Sequence, residues 1–311
     1  MSDPGTIKPV DGLWFTNDIV ILRAEDSISG FRVSQSILAA RSTVFQSMFE
    51  FPQPASDSVE TLDGIPVVRL HDSAAEVEPF LRAIFDSSYF MPPPAKIDVH
   101  AVLGILRLSH KYAVGYLFKR ALLHLEIVFP IDVEQARNID VYSGQLHSDL
   151  KAVPILQEVG AAWLLPVAFY KLAIYDEQTL LDAGDSWTNF PADMKQTCLL
   201  ARTQQLHMNN RINGFLALFS CASNNECAEK RALLLRDLVT YRDSEAYQLH
   251  PLSEWNDEDW LDLASDLCDV CFALARAQHE VDLGHVWDQL PKNCGLEDWK
   301  TLKELRRVAM E

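Results

Sequence analysis

Apolar and polar positions alternate most tellingly between Asp18 and Phe49, and the pattern predicts two strands followed by two helices. Asp18-Ile19-Val20-Ile21-Leu22 is almost continuously aliphatic, as in a strand buried on both faces. Asp26-Ser27-Ile28-Ser29-Gly30 is turn chemistry, and Phe31-Arg32-Val33 alternates like a half-buried strand. Ser34 or Ser36 can cap a helix carrying Ile37, Leu38 and Ala39. Ser42 can cap the next, whose Val44, Phe45, Met48 and Phe49 share a face.

Beyond it, Phe51 to Ser58 reads as a Pro- and Ser-rich surface loop, and Pro66-Val67-Val68-Arg69-Leu70 as a strand after an Asp63-Gly64 turn. Asp72 or Ser73 opens a helix to Asp86 with the stripe Val77, Phe80, Leu81, Ile84 and Phe85. Pro92-Pro93-Pro94 forces an extended link. Asp98 opens a helix to Val114, and Gly115 another to the Phe129-Pro130 break. From Ile131 the pattern is helical almost throughout, broken at Pro154, Pro166, Pro191 and Pro251. Val153 to Tyr175 reads as two short helices split at Leu165-Pro166, and Asp193 to Cys221 as one long helix with Leu199, Leu200, Leu206, Ile212, Phe215, Leu216 and Phe219 apolar. No repeat of ~20–50 residues is visible, which argues against a solenoid or kelch propeller.

The strand–turn–strand opening, the run Ser42-x-x-Phe45-x-x-Met48-Phe49 and the tract Leu106-Arg107-Leu108-Ser109-His110-Lys111-Tyr112-Ala113-Val114-Gly115-Tyr116-Leu117 together resemble the BTB/POZ domain, especially that of fungal BTB-domain proteins. Trp287-x-x-Leu290-Pro291 and Gly295-Leu296-x-x-Trp299-x-x-Leu302 resemble the C-terminal portion of the same proteins, with Cys294 where a phenylalanine is common. The resemblance implies an α+β chain. Its parts are a tail at 1–12, a BTB/POZ unit at 13–130 (a helical cluster with a small three-stranded sheet) and an all-α region at 131–311. It also implies a protein-binding module. Candidate interface residues are Leu13, Trp14 and Phe15, which could equally cover their own domain, and Phe45, Met48 and Phe49. Ser34 and Gln35 stand where the dimeric transcription-factor branch has the histidine and the arginine that pairs with the residue matched by Asp18. Pro52-Gln53 lacks the acid that cullin-binding members carry nearby.

Composition narrows the partners. Among 311 residues, 48% are apolar, enough for a substantial core, and length alone suggests two domains. Forty-four acidic residues against 27 basic give a net charge of −17, which disfavours direct binding to nucleic acid or anionic membrane. Glu254 to Asp269 carries seven acids, and no Lys or Arg lies between Arg242 and Arg276. A solvated helix face explains this better than a basic partner does. The first dozen residues lack a secretory h-region and no run reaches the ~18 apolar residues of a membrane helix, so an intracellular protein, cytoplasmic or nuclear, is expected.

Six cysteines in such a chain argue for reduced thiols or metal rather than disulfides. Cys268 and Cys271, three apart on a helix, could chelate one ion, and Cys221 and Cys227 could complete a closed structural zinc site clamping the helix that ends at Cys221. The competing reading, which the sequence favours, is that all four are ordinary core thiols. A Cys-x-x-Cys redox centre is disfavoured because the pair reads as helix interior beside Asp266 and Asp269. His279 lies two turns past Cys271, too far to share the ion; His110 and His124 read as core or surface residues. Trp255, Trp260, Trp287 and Trp299 read as core anchors. No metalloprotease, nucleophile-elbow, P-loop or dinucleotide motif is present. The expected function is therefore a non-enzymatic interaction module or scaffold, possible as a homodimer. The alternatives are a cullin-ligase substrate adaptor and a transcriptional regulator without its own DNA-reading element.

Overall fold

The computed structural model describes residues 18–26, 28–50, 60–137, 146–217, 221, 226–242, 250–253 and 255–311. Leu13, Trp14, Phe15, the Phe51–Ser58 loop and Phe219 lie outside the described residues. The protein is α+β, mostly helical with one small sheet. It divides into two compact units, Met1–His124 and Leu125–Glu311.

The first unit opens with β1 (Ile19–Arg23) and β2 (Gly30–Ser34), joined by a turn in which the Asp26 carboxylate accepts from the amides of Ile28 and Ser29. Ser34 caps α1 (Gln35–Arg41), its hydroxyl accepting from the Ile37 amide. Ser42 caps α2 (Thr43–Glu50), accepting from Phe45 at 3.0 Å. β3 (Thr61–Leu62) and β4 (Ile65–Arg69) form a hairpin across Asp63-Gly64, both at positive φ (53° and 75°), which the tight turn requires. The sheet therefore has four strands, in the order β2-β1-β4-β3, rather than the three expected. β3 escapes sequence reading because two residues show no alternation. β1 runs antiparallel to β2 and parallel to β4, and its Val20, Ile21 and Leu22 are buried, as a central strand demands.

Three helices complete this unit: α3 (Ala74–Phe85), α4 (Val99–Lys111), capped by Asp98, and α5 (Gly115–Val128), within which the division between units falls. Tyr112, just past α4, ties the unit together. Its ring stacks on Phe45 at 4.5 Å and on Phe80 at 5.7 Å, its hydroxyl donates to Asp72 at 2.6 Å, and its carbonyl accepts from Ser42 at 2.5 Å. Burial, then the bond to Asp72, holds the phenol far above its usual range. Of the two expected caps of α3, Ser73 takes the capping position, and Asp72 pairs with Tyr112 and with Lys111 at 2.6 Å.

The second unit is all helix and turn among the described residues. It contains α6 (Val133–Ala136), α7 (Leu146–Glu158), α8 (Leu165–Leu172), α9 (Glu177–Asp182), α10 (Asp185–Thr188) and α11 (Ala192–Ile212). α12 (Glu226–Arg242), α13 (Asp257–Asp266), α14 (Asp269–Asn293) and α15 (Trp299–Met310) follow. Pro154 does not break the chain but lies inside α7. α11 ends at Ile212, well before Cys221, and a short 3-10 turn at Gly214–Leu216 follows. Its expected stripe holds only in its later part, where Ile212, Phe215 and Leu216 are buried. Leu199, Leu200 and Leu206 are exposed, whereas Cys198, Gln205 and Met208 face inward, Gln205 donating to the Tyr170 carbonyl at 2.7 Å. The two tail motifs meet: Trp287 and Trp299 stack at 4.5 Å, and the Trp299 indole donates to the Trp287 carbonyl. Asp149 is buried with Lys171 at 3.3 Å and Tyr175 at 3.2 Å; burial raises its carboxyl and the Lys171 charge opposes that rise. No helix among the described residues is long and apolar enough to cross a membrane.

Candidate metal centre

Four sulfurs converge in the second unit. The Sγ atoms of Cys221, Cys227, Cys268 and Cys271 all lie within 4.8 Å of one another, and Cys221 and Cys268 are 3.9 Å apart. A tetrahedron of ~2.3 Å metal–sulfur bonds places its sulfurs roughly 3.8 Å apart, so the cluster is nearly of that size. All six cysteines are free thiols, and Cys198 and Cys294 do not join the group.

Local sequence explains how the four meet. Asn256 caps α13 in a reciprocal box with Asp259, and Asp257, Glu258 and Asp259 crowd its first turn, where the helix dipole favours negative charge. The acidic run is thus largely a solvated helix start, and Asp266 pairs with Lys230 on α12. α13 stops at Asp266, because Leu267 and Cys268 are extended (ψ 152° and 156°). Cys268 then becomes the N-cap of α14, and Cys271 falls in its first turn. Cys227 lies in the first turn of α12, and Cys221 lies outside any helix.

Two expectations change here. The Cys268–Cys271 pair opens a helix rather than sitting inside one, and α11 ends at Ile212 rather than at Cys221. The break was hidden because the buried positions Trp260, Leu263, Leu267, Cys271 and Ala275 keep three-to-four spacing straight through it. The helix-start position removes the reason given against thiol redox chemistry. The other two sulfurs, packed against the same pair, nonetheless make the group a four-donor set rather than a two-cysteine centre.

Its electrostatics favour a cation. The backbone amide of Cys271 lowers the Cys268 thiol, and the amide of Cys268 donates to Cys227 Sγ at 3.3 Å. Burial, then the neighbouring sulfurs, pushes Cys271 up to about 12. At Cys227 the Cys268 amide pulls downward, but burial and the adjacent thiols outweigh it. Four thiolates in this space repel one another unless a cation replaces their protons. The group can hold a metal such as zinc, and with four protein donors no position would remain for a substrate.

The cluster sits beside a small core of Phe215, Leu216, Trp260, Leu263, Leu267 and Ala275. α12 packs against it through Leu234, Leu235 and Leu238, which are only partly buried. Of its side chains described, only Cys227 and Arg231 are buried. A helix held by partly buried apolar contacts gains from a tether at Cys227.

His279 is not a ligand. It is buried edge-on against Trp260 at 5.0 Å and Phe215 at 5.9 Å, and burial lowers its pKa to about 4. A base with a depressed folded-state value supplies stability above its ordinary value of ~6.5, which is lost as pH falls toward 4, by up to about 3 kcal/mol. Urea unfolding of the full chain at pH 7 and pH 5 should show a larger loss for wild type than for His279→Leu. Equal losses would contradict this. Trp260, Trp287 and Trp299 are buried as expected, and Trp255 donates to Asn213. His124 is buried and bonded to the Met91 carbonyl, while His110 is exposed beside Phe118.

The candidate interface residues of the first unit divide. Phe45, expected at an interface, is wholly buried because it fills the space against Tyr112. Met48 and Phe49 are half-buried, and Val44 is exposed. A groove of about 680 Å³ runs between β2 and α3, with Phe31, Val33, Ile37, Leu81 and Phe85 among its lining residues; sequence reasoning did not anticipate it. No family model matches the chain, and no curated protein or solved structure matches it either.

Proposed function

We propose that this chain is a non-enzymatic protein-interaction protein built on a BTB/POZ-type N-terminal unit. In this reading one structural zinc ion, held by Cys221, Cys227, Cys268 and Cys271, braces the C-terminal unit. The convergence of four sulfurs within 4.8 Å carries the zinc. Soft thiolates select zinc over magnesium or calcium, and a closed four-sulfur shell is a structural rather than a catalytic arrangement.

The interaction reading is supported by what the first unit leaves at its surface. Val44 is exposed on α2, Met48 and Phe49 are only half-buried beside Phe45, with the Phe49 ring stacked on Phe45 at 5.9 Å, and β2 has β1 as its single strand neighbour among the described residues. Ser34, standing where the transcription-factor branch has its histidine, is occupied in capping α1. A partner would therefore be held by apolar contacts rather than by that branch's charged pocket.

Light scattering on the full chain is expected to give a homodimer, and Met48→Glu/Phe49→Glu a folded monomer with unchanged far-UV circular dichroism. A wild-type monomer that also retains no cullin in a pulldown would contradict the interaction reading. A monomer that does retain cullin would make it a ligase adaptor.

A further inference from the structure

We propose that Cys221 and Cys268 are an oxidisable pair, joined to each other by peroxide with loss of the metal, while Cys227 and Cys271 stay reduced. This rests on the zinc reading above and adds a modification site to it.

Close approach permits this pair, and two further observations single it out. Their sulfurs are 3.9 Å apart, so an approach of roughly 2 Å reaches disulfide length. Both residues are partly exposed, whereas Cys227 and Cys271 are each 3% exposed against the core of Leu263, Leu267 and Trp260. Backbone freedom differs in the same sense. Cys221 lies outside any helix and Cys268 is an N-cap in extended conformation, but Cys227 and Cys271 are fixed within helical first turns. Access and freedom from a helical backbone therefore coincide at one pair and are both missing at the other.

The chemistry balances with peroxide as the named oxidant. One thiolate of the pair attacks the O–O bond, forming S–O and releasing hydroxide, which leaves a sulfenic acid. The second thiolate attacks that sulfur, forming S–S and expelling a second hydroxide. Two electrons pass from the sulfurs to peroxide, and the two hydroxides take up protons as water. The ion loses two of its four donors and departs.

The test uses the full chain loaded with zinc, with one zinc per chain verified by native mass spectrometry before oxidation. Hydrogen peroxide is then added, released zinc is read with a chromogenic chelator, and disulfides are mapped by proteolysis and mass spectrometry. The expected result is one zinc released per Cys221–Cys268 disulfide, reversed by dithiothreitol and added zinc. Cys198→Ser and Cys294→Ser should behave as wild type. Zinc retained under peroxide, a Cys227–Cys271 disulfide, or release with only sulfinic and sulfonic acids would overturn the pair. A chain that holds no zinc before peroxide would overturn the zinc reading as well, and that failure is visible at the first step.

Discussion

Stripping zinc from the full chain should lower the melting temperature of the C-terminal unit by roughly 5–10 °C and release α12 to rapid amide exchange. An ion present at about a hundredfold over its Kd stabilises the state that binds it by about 2.7 kcal/mol, and a unit of this size melts about 2–4 °C lower per kcal/mol lost. The effect should concentrate on α12 because its apolar contacts with the core, through Leu234, Leu235 and Leu238, are only partly buried. Cys227 and Arg231 are its buried side chains among those described, and the Lys230–Asp266 pair is a surface ion pair of small value. Cys227→Ser should reproduce the stripped state even with zinc in excess, because the serine hydroxyl is a poor ligand for a soft site. The first unit's unfolding should stay in place, so two probes are needed and no single transition can be assumed. Differential scanning calorimetry with hydrogen exchange gives both. An unchanged melting curve after chelation would contradict a bracing role.

Phe45→Ala is expected to destabilise the first unit by about 3–5 kcal/mol, whereas Val44→Ala, one residue earlier, should cost under about 0.5 kcal/mol. Phe45 has no exposed surface, stacks on Tyr112, and lies above the Ser42 hydroxyl that caps α2 and reaches the Tyr112 carbonyl. Its loss therefore leaves a cavity where three helices and the Asp72–Tyr112 bond meet. Phe49, half-buried on the same helix, should cost clearly less when replaced by alanine. Urea unfolding of the full chain, read by a probe in the first unit, checks the order Phe45, Phe49, Val44. Equal costs at Phe45 and Phe49 would contradict the division between core and surface along this helix.

Those residues also show how far sequence reasoning reaches. Strand and helix starts set by local chemistry were legible: Ser34, Ser42 and Asp98 cap where they were expected to, and the Asp63-Gly64 turn lies where its residues require it. Roles that depend on distant partners were not. Asp72 has the sequence of a helix cap, yet pairs with Lys111 and Tyr112 some forty residues on. Phe45 belongs to a motif that suggested an interface, yet burial decides its role. Pro154 sits inside α7, and the exposed Leu199, Leu200 and Leu206 show tertiary packing overriding a simple apolar stripe. The cysteine set was legible as four residues. Their convergence stood as one of two readings, but the way they meet was not legible, because it depends on a helix break that the apolar spacing conceals and on Cys227 opening a separate helix.

X-ray absorption at the zinc edge of the full chain tests the central claim most directly. Four sulfur scatterers at about 2.3 Å in wild type, and no stoichiometric zinc in Cys227→Ser, are the predicted result. A first shell of nitrogen and oxygen, or a purified chain without zinc that binds none when it is supplied, would contradict it.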